Sequence, residues 1–246
     1  MELPLIRVPK AFHIGTLDPS DLGRNSGDSS LEGKCLSVSV CPHAWYAIAK
    51  LGGYPLYEIT KDDGEFVDMH AAVDDGLLPR AIEWAVAGGL VTVETRYRCW
   101  TWDDELESWT SFVLMTRQEA EEEIEAALGD CAAEAEGPGG RPAVEEVQCP
   151  VGTGMLAAVT GRRVRPDEDA TDDVLLAWCM ENSSADGVWW RERHDPAVLS
   201  APRGAVFPHR VPSWSAREIN PASVDDGDEL DAFEERLGSA QPRTKA

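Results

Sequence analysis

The sequence predicts an α+β fold in which strands outnumber helices, and three observations support this prediction. Several short segments have an apolar residue at every second position, as a half-buried strand does. A few longer segments have apolar residues at helical spacing, together with residues suited to helix ends. The composition is that of a globular protein, with 43% hydrophobic and 27% charged residues among 246.

The first predicted elements are three strands around a long loop. Residues 5–9 and 11–15 are predicted strands separated at Pro9. Residues 17–34 are rich in Gly, Asp, Ser and Asn, and they are predicted to form a loop. In residues 36–40, a leucine and two valines alternate with two serines, which predicts a half-buried strand.

Four helices are predicted from apolar spacing and from residues that favour helix ends. Pro42 is suited to the first turn of one helix, and Gly52 and Gly53 end it. Thr116 is a good N-cap for another, whose acidic first turn complements the helix dipole. The predicted helices are residues 43–51, 78–88, 117–128 and 172–182. The remaining predicted strands are residues 55–60, 66–70, 90–97, 109–115, 155–160, 187–190 and 204–207.

The chain is predicted to form a single α+β domain over residues 1–220. Residues 129–142 are small, acidic and glycine-rich, and they are predicted to be a flexible loop inside that domain. Residues 221–246 are acidic and then polar, with few apolar residues beyond Leu230 and Phe233. They are therefore predicted to be a disordered tail.

The strong negative charge limits the classes of partner. The formal net charge is −23 and the isoelectric point is about 4.4. This argues against nonspecific binding of DNA and against an anionic membrane surface, because both need clusters of Lys and Arg. A nucleotide in one local pocket is compatible with this charge. Seventeen of the 22 basic residues are arginines, a bias typical of GC-rich bacteria or their phages.

Targeting features and cysteine usage favour an intracellular protein. No apolar run approaches the ~20 residues that span a bilayer, and the N-terminal residues lack the apolar core and cleavage site of a signal peptide. The sequence therefore predicts a cytoplasmic protein that does not associate with membranes. The six cysteines form no CxxC pair and show no metal-ligand spacing with the five histidines. Buried reduced thiols and no metal site are expected.

Two segments contain the residues best suited to binding a nucleotide. Residues 12–16, FHIGT, place His13 in an apolar segment, followed by Gly15 and Thr16. A glycine lets a ligand approach the backbone closely, because it has no Cβ. Residues 33–46, GKCLSVSVCPHAWY, follow with a glycine, a strand that contains serines and a helix that contains aromatic residues.

This order of motifs resembles the ADP-ribosyltransferase family, which builds a split β-sheet pocket for NAD. The resemblance implies the same split-sheet core, with helices inserted between its strands. It implies that His13 orients a ribose, and that the backbone at Gly15 and Thr16 pairs with the carboxamide of nicotinamide. Ile14 is an inserted residue relative to the tighter HGT form of the motif.

The resemblance also assigns roles in the second segment. Ser37 and Ser39 are the polar positions of the strand, and Trp45 or Tyr46 stacks on the nicotinamide ring. Ordinary packing of an amphipathic helix explains the two aromatic residues equally well, so that alternative stays open.

The third motif of the family departs from the pattern. Residues 185–190, ADGVWW, and 203–211, RGAVFPHRV, are similar to the C-terminal third of these enzymes, where a catalytic glutamate precedes the last strand. That position falls on Arg203 or Gly204, so the carboxylate is missing. Three explanations stay open. Glu192 could supply the acid. Arg203 could contact a phosphate, as in the RNA 2′-phosphotransferase relatives that lack the glutamate. Or the site could bind without catalysing.

The resemblance covers roughly residues 10–70 and 155–212 and implies an enzyme that uses NAD as a substrate. It would transfer ADP-ribose to a protein or nucleic-acid acceptor, as toxins, phage-encoded modifiers and conflict-system effectors do. The alternative is a noncatalytic acidic interaction protein with a degenerate nucleotide pocket, which the missing glutamate and the net charge favour. The densest positive cluster favours an anion near the third motif, and its members are Arg191, Arg193, Arg203 and Arg210.

Overall fold

The computed structural model describes residues 3–18, 32–74, 76–103, 108–114, 116–128, 136–163, 168–191, 194 and 200–240. The α-helices are α1 (Pro42–Ile48), α2 (Met69–Asp74), α3 (Leu77–Ala87), α4 (Arg117–Leu128), α5 (Gly154–Thr160), α6 (Thr171–Asn182) and α7 (Asp226–Ala240). The strands are β1 (Leu5–Arg7), β2 (Lys10–Ile14), β3 (Leu36–Ser39), β4 (Leu56–Thr60), β5 (Glu65–Asp68), β6 (Val91–Asp103), β7 (Ser108–Leu114), β8 (Glu136–Gly137), β9 (Arg141–Pro142), β10 (Val144–Gly152), β11 (Gly187–Trp190), β12 (Arg203–Val206) and β13 (Ser215–Ile219). This mixture confirms the predicted α+β class.

The larger sheet has eight strands in the order β1-β5-β11-β12-β3-β2-β4-β13. Neighbouring strands are antiparallel except for β5 and β11, which are parallel. The segments singled out from the sequence lie on β2, β3, β11 and β12. These strands are therefore close neighbours in space, although the chain between β3 and β11 is long.

Strand β2 is paired very unequally with its two neighbours. Its five residues, from Lys10 to Ile14, are all in register with β4. On the other side, only Phe12 is paired with β3, opposite Ser39. Beyond that pair no other residues of these two strands are in register, and we call this unpaired stretch between β2 and β3 the split.

Apolar side chains cover both faces of the larger sheet, because residues of a strand alternate between its faces. Trp190 packs on one face with residues of α2, α3, α5 and α6. Trp189 packs on the other face with residues of β1, α1 and α7, and it is completely buried. Its ring makes an edge contact with Phe66, with 5.5 Å between centroids. The sheet is thus the middle layer between two apolar cores.

A second, smaller sheet has the order β10-β6-β7. Cys99 of β6 packs beneath Ala120 and Ile124 of α4, which cover one face. Trp102 and Trp109 are paired across β6 and β7 and remain 47% and 37% exposed. This sheet is therefore covered less completely than the larger one.

Most predicted elements are present with small shifts of their ends. The four predicted helices are confirmed as α1, α3, α4 and α6, with ends that move by up to three residues. The predicted strand at 155–160 is wrong, because these residues form α5. Thr153 caps α5 by accepting a hydrogen bond from the Met155 N–H, and Gly161 ends it in the left-handed conformation, with φ 74°.

The predicted disordered tail is wrong for residues 226–240, which form α7. Leu230, Phe233 and Leu237 recur at helical spacing and pack on the core around Trp189, and Phe233 is 3% exposed. The acids at the start of α7 complement the positive end of the helix. Residues 241–246 lie outside the described residues.

The predicted flexible loop at 129–142 is described only in part. Residues 136–142 form a small hairpin in which β8 pairs with β9. Gly139 and Gly140 have φ values of 72° and 75° in the turn, a conformation that favours glycine. Residues 129–135 lie outside the described residues.

Candidate functional site

His13 bridges the split between β2 and β3. It is the residue after Phe12, the last position of β2 that is paired with β3. Its Nδ1 lies 2.8 Å from the carbonyl oxygen of Ser37 on β3, and its Nε2 lies 2.9 Å from the carbonyl oxygen of Thr16. The imidazole therefore joins the two edges of the split where backbone hydrogen bonds have ended.

Both ring nitrogens of His13 lie near carbonyl oxygens, but the burial of the ring favours its neutral form, which has a single N–H donor. Burial lowers the pKa of His13, and the hydrogen bonds to Ser37 and Thr16 raise it by less. A neutral imidazole has one N–H and can donate to only one carbonyl, whereas an imidazolium could donate to both. Because burial dominates, one of the two carbonyl oxygens lacks a donor from His13 near neutral pH.

The residues after His13 form a tight turn. Gly15 has a φ of 129°, a conformation that favours glycine, and its N–H donates to the carbonyl oxygen of Pro55 at 3.1 Å. The hydroxyl of Thr16 accepts a hydrogen bond from the Asp18 N–H at 3.1 Å. Gly15 is thus needed for the turn itself, in addition to any close approach by a ligand.

The two serines of β3 have different surroundings. The Ser39 hydroxyl donates to the carbonyl oxygen of Pro202 at 2.5 Å and accepts from the Cys41 N–H at 2.9 Å. It is buried and joins β3 to the start of β12 and α1. Ser37 is half-buried, and its backbone carbonyl faces His13. Of the two, Ser37 is therefore closer to the split.

Arg203 lies between two tryptophan rings at the start of β12. Its guanidinium carbon is 5.5 Å from the ring centroid of Trp45 and 5.6 Å from that of Trp190. Its Nη1 is 3.6 Å from a carboxylate oxygen of Glu32, which is 5% exposed. The Trp45 Nε1 is 3.5 Å from the Pro202 carbonyl oxygen. These contacts place Trp45 beside Arg203.

Tyr46 lies in a different place from Trp45, because successive residues of a helix are about 100° apart. Its hydroxyl donates to the carbonyl oxygen of Tyr54 at 2.9 Å. Its ring lines a shallow, open depression of about 530 Å³ together with Gly53, Tyr54 and Pro55. The Pro55 carbonyl oxygen also accepts the hydrogen bond from Gly15, so of Trp45 and Tyr46 it is Tyr46 that shares a depression with a residue bonded to this turn.

Two acids near Arg203 were not singled out from the sequence. One is Glu32. The other is Asp172, an exposed residue that lies near the charges of Arg162, Arg203 and His70. Next to it, burial raises the pKa of Asp173 to about 6 although Arg162 is 3.1 Å away. Asp172 and Asp173 both lie in the first turn of α6, where acidic side chains stabilise the positive end of the helix. Their presence there therefore requires no functional role.

The four arginines that are close in the sequence do not bring their side chains to one place among the described residues. Arg191 pairs with the buried Asp68, and Arg210 donates to the carbonyl oxygen of Ser184 at 3.0 Å. Arg203 pairs with Glu32. Arg193 and the candidate acid Glu192 lie outside the described residues.

Comparison with known proteins found no protein similar to this chain. No protein-family model matches the chain, and no curated protein or solved structure matches it either. Across the part of the chain that the structure describes, none of the helices combines the length and the apolar character needed to cross a bilayer.

Proposed function

We propose that the chain is an ADP-ribosyltransferase-like protein that binds NAD at the split and transfers ADP-ribose to a macromolecular acceptor. The observation that supports this best is that β2, β3 and β12 are consecutive in one sheet. The three motifs of the family resemblance lie on or beside these strands. They are far apart in the sequence, so long-range strand pairing is what brings them together.

The groups at the split suit the nicotinamide end of NAD. A carboxamide offers two N–H donors, and a neutral His13 leaves the carbonyl oxygen of Ser37 or Thr16 without a donor from its ring. Tyr46 offers an aromatic face beside the turn at Gly15 and Pro55. Stacking of a cationic ring on such a face is worth ~0.5–2 kcal/mol.

Arg203 suits the anionic part of the same ligand. Strands β2 and β12 are separated only by β3, so their backbones are roughly 10 Å apart at the common spacing of strands. The register aligns Arg203 with Ser39, and Ser39 with Phe12, so the side chain of the next residue, His13, starts on the opposite face. One extended dinucleotide that contacts both His13 and Arg203 must therefore pass from one face to the other at the split. The planar guanidinium can contact phosphate oxygens in pairs, and the two tryptophan rings fix its plane.

Glu32 is our candidate for the acid that the third motif lacks. Its carboxylate contacts Arg203 and is buried, so the two side chains hold each other at the start of β12. A carboxylate there stabilises positive charge that develops on a ribose during transfer. The role that the sequence suggested for Glu192 thus has a second candidate among the described residues.

The test combines NAD-dependent thermal stabilisation with release of nicotinamide. We expect NAD to raise the melting temperature of the full chain, and nicotinamide to accumulate as water takes the ADP-ribosyl group in place of the macromolecular acceptor. His13→Ala abolishes both effects, whereas Glu32→Gln keeps the stabilisation and loses the release. His209→Ala, at an exposed histidine, serves as the matched control and changes neither. Absence of stabilisation and of release in the unchanged protein contradicts the proposal.

A noncatalytic interaction protein is the second candidate, and one observation favours it. Both ring nitrogens of His13 face carbonyl oxygens of the chain itself, and the Ser39 hydroxyl donates to the Pro202 carbonyl oxygen. The acids of α4 are exposed, as expected for a surface that binds a basic partner. This candidate predicts salt-sensitive binding of an oligoarginine peptide, lost when Glu122, Glu123 and Glu125 are changed together to Gln. Binding that survives this change contradicts it.

A further inference from the structure

Three side chains that are distant in the sequence meet beside α1. Cys41 immediately precedes α1, His194 lies between β11 and β12, and Asp226 is the first residue of α7. The thiol sulfur, one imidazole nitrogen and one carboxylate oxygen all lie within 4.8 Å of one another. This cluster does not include the residues proposed to hold NAD.

The chemistry of the three ligand atoms points to one class of ion. Sulfur, imidazole nitrogen and carboxylate oxygen are the ligands that zinc takes in proteins. From the usual zinc–ligand bond lengths, ligand atoms of a tetrahedral site are roughly 3.3–3.8 Å apart. Small side-chain rotations are therefore enough to bring these three atoms onto one ion.

We propose that Cys41, His194 and Asp226 bind a divalent zinc-type ion that joins the starts of α1 and α7 to His194. Cys41 is completely buried, whereas His194 and Asp226 are half-buried. The ion can therefore enter from the side of His194 and Asp226. A water molecule completes the tetrahedron on that side.

Asp226 is already held in the orientation that a ligand needs. Its two carboxylate oxygens accept hydrogen bonds from the backbone N–H groups of His43 at 3.1 Å and Ala44 at 2.8 Å. Each oxygen of a carboxylate has a second lone pair, so these bonds leave room for a metal. Such supporting bonds commonly orient metal ligands.

The charges around the cluster favour a cation. The carboxylates of Asp226, Glu234 and Glu229 all act on Cys41. Lys10 pairs with one of these acids, since its Nζ is 2.5 Å from Glu229. A divalent ion adds positive charge beside the three carboxylates. A nucleophilic role for Cys41 fits less well, because a completely buried sulfur is out of reach of a substrate.

The experiment uses Co²⁺ as the probe, because cobalt in a tetrahedral site with a thiolate ligand has an intense absorption spectrum. The full chain is stripped with a chelator and titrated with Co²⁺, and Zn²⁺ is then added. We expect saturation at one ion per chain, with a thiolate-to-cobalt band that Zn²⁺ removes. His194→Ala, at a half-buried position, lowers the Co²⁺ affinity by at least about tenfold. Cys41→Ser removes the thiolate band.

Two matched controls separate the site from general binding to an acidic chain. Cys179→Ser alters another completely buried thiol, and His209→Ala alters an exposed histidine. Both are expected to keep the full spectrum and affinity. The proposal is overturned if no thiolate band forms, or if His194→Ala and Cys41→Ser bind Co²⁺ as the controls do. Because neither result involves NAD, this test is independent of the proposed function.

Discussion

The two sides of β2 differ in how they are held. On the side of β4, five residue pairs are in register, and no side chain is needed to join the strands. On the side of β3, one pair is in register, and His13 spans the remaining gap through its ring nitrogens. A sheet that stops pairing inside a covered core leaves backbone carbonyls that need partners. The comparison therefore locates the candidate site at the split.

A substitution in the fully paired part of the larger sheet should lower the stability most. Trp189→Ala removes a completely buried ring that contacts Phe66 and should lower the free energy of unfolding by about 3–5 kcal/mol. Denaturant unfolding measures the change. Trp109→Ala, on the smaller sheet, should cost under about 1 kcal/mol. Equal losses at both positions would mean that the larger sheet is not the stable core.

At the split the expected loss is smaller. His13→Ala removes the contacts to the carbonyl oxygens of Ser37 and Thr16 and should cost about 1–3 kcal/mol in the same unfolding measurement. A loss of unfolding free energy as large as that of Trp189→Ala would show that His13 acts as an ordinary core residue. A value near zero would show that the split needs no bridge.

Arg203→Lys tests the contacts at the start of β12. Lysine keeps the charge opposite Glu32 but loses the planar stacking on Trp45 and Trp190, so we expect a loss of about 0.5–2 kcal/mol. Arg217→Lys is the control, since its side chain is 74% exposed and pairs with Glu58. No measurable change is expected there. An equal effect at both arginines argues against a special role for the tryptophan rings.

The smallest expected effect is on the pH dependence of stability. Burial holds the pKa of His13 below its ordinary value of about 6.5, so the unfolded chain binds the proton more readily than the folded one. The contribution of the neutral His13 to the free energy of unfolding is therefore complete above about pH 6.5. It is lost as the pH falls below that value. Relative to His13→Ala, the unchanged protein should lose stability on acidification. A relative gain would mean that a charged imidazole donates to both carbonyls.

The sequence was sufficient for much of the larger sheet. Alternating residues predicted β3, and the apolar segments predicted β2, β11 and β12 within a few residues. These are local patterns. The partners of each strand depend on long-range pairing, so the contact between Glu32 and Arg203 could not be predicted. The cluster of Cys41, His194 and Asp226 could not be predicted for the same reason, because these residues are far apart in the sequence and form no short motif.

The wrong predictions also have physical causes. Residues 155–160 are apolar enough for either a strand or a helix, and the capping residues Thr153 and Gly161 decide for the helix. Helix α7 is acidic and weakly apolar, but its three apolar residues fall on one face and meet a core that only the folded sheet provides. Composition alone could not predict that packing.

Amide hydrogen exchange of the full chain with and without NAD tests whether NAD binds at the split. We expect slower exchange with NAD in residues 12–18 and 36–39, on the two edges of the split. We expect no change in residues 91–103 and 108–114 of the smaller sheet, which serve as the internal control. Unchanged exchange at the split, or protection confined to the smaller sheet, would show that NAD does not bind there.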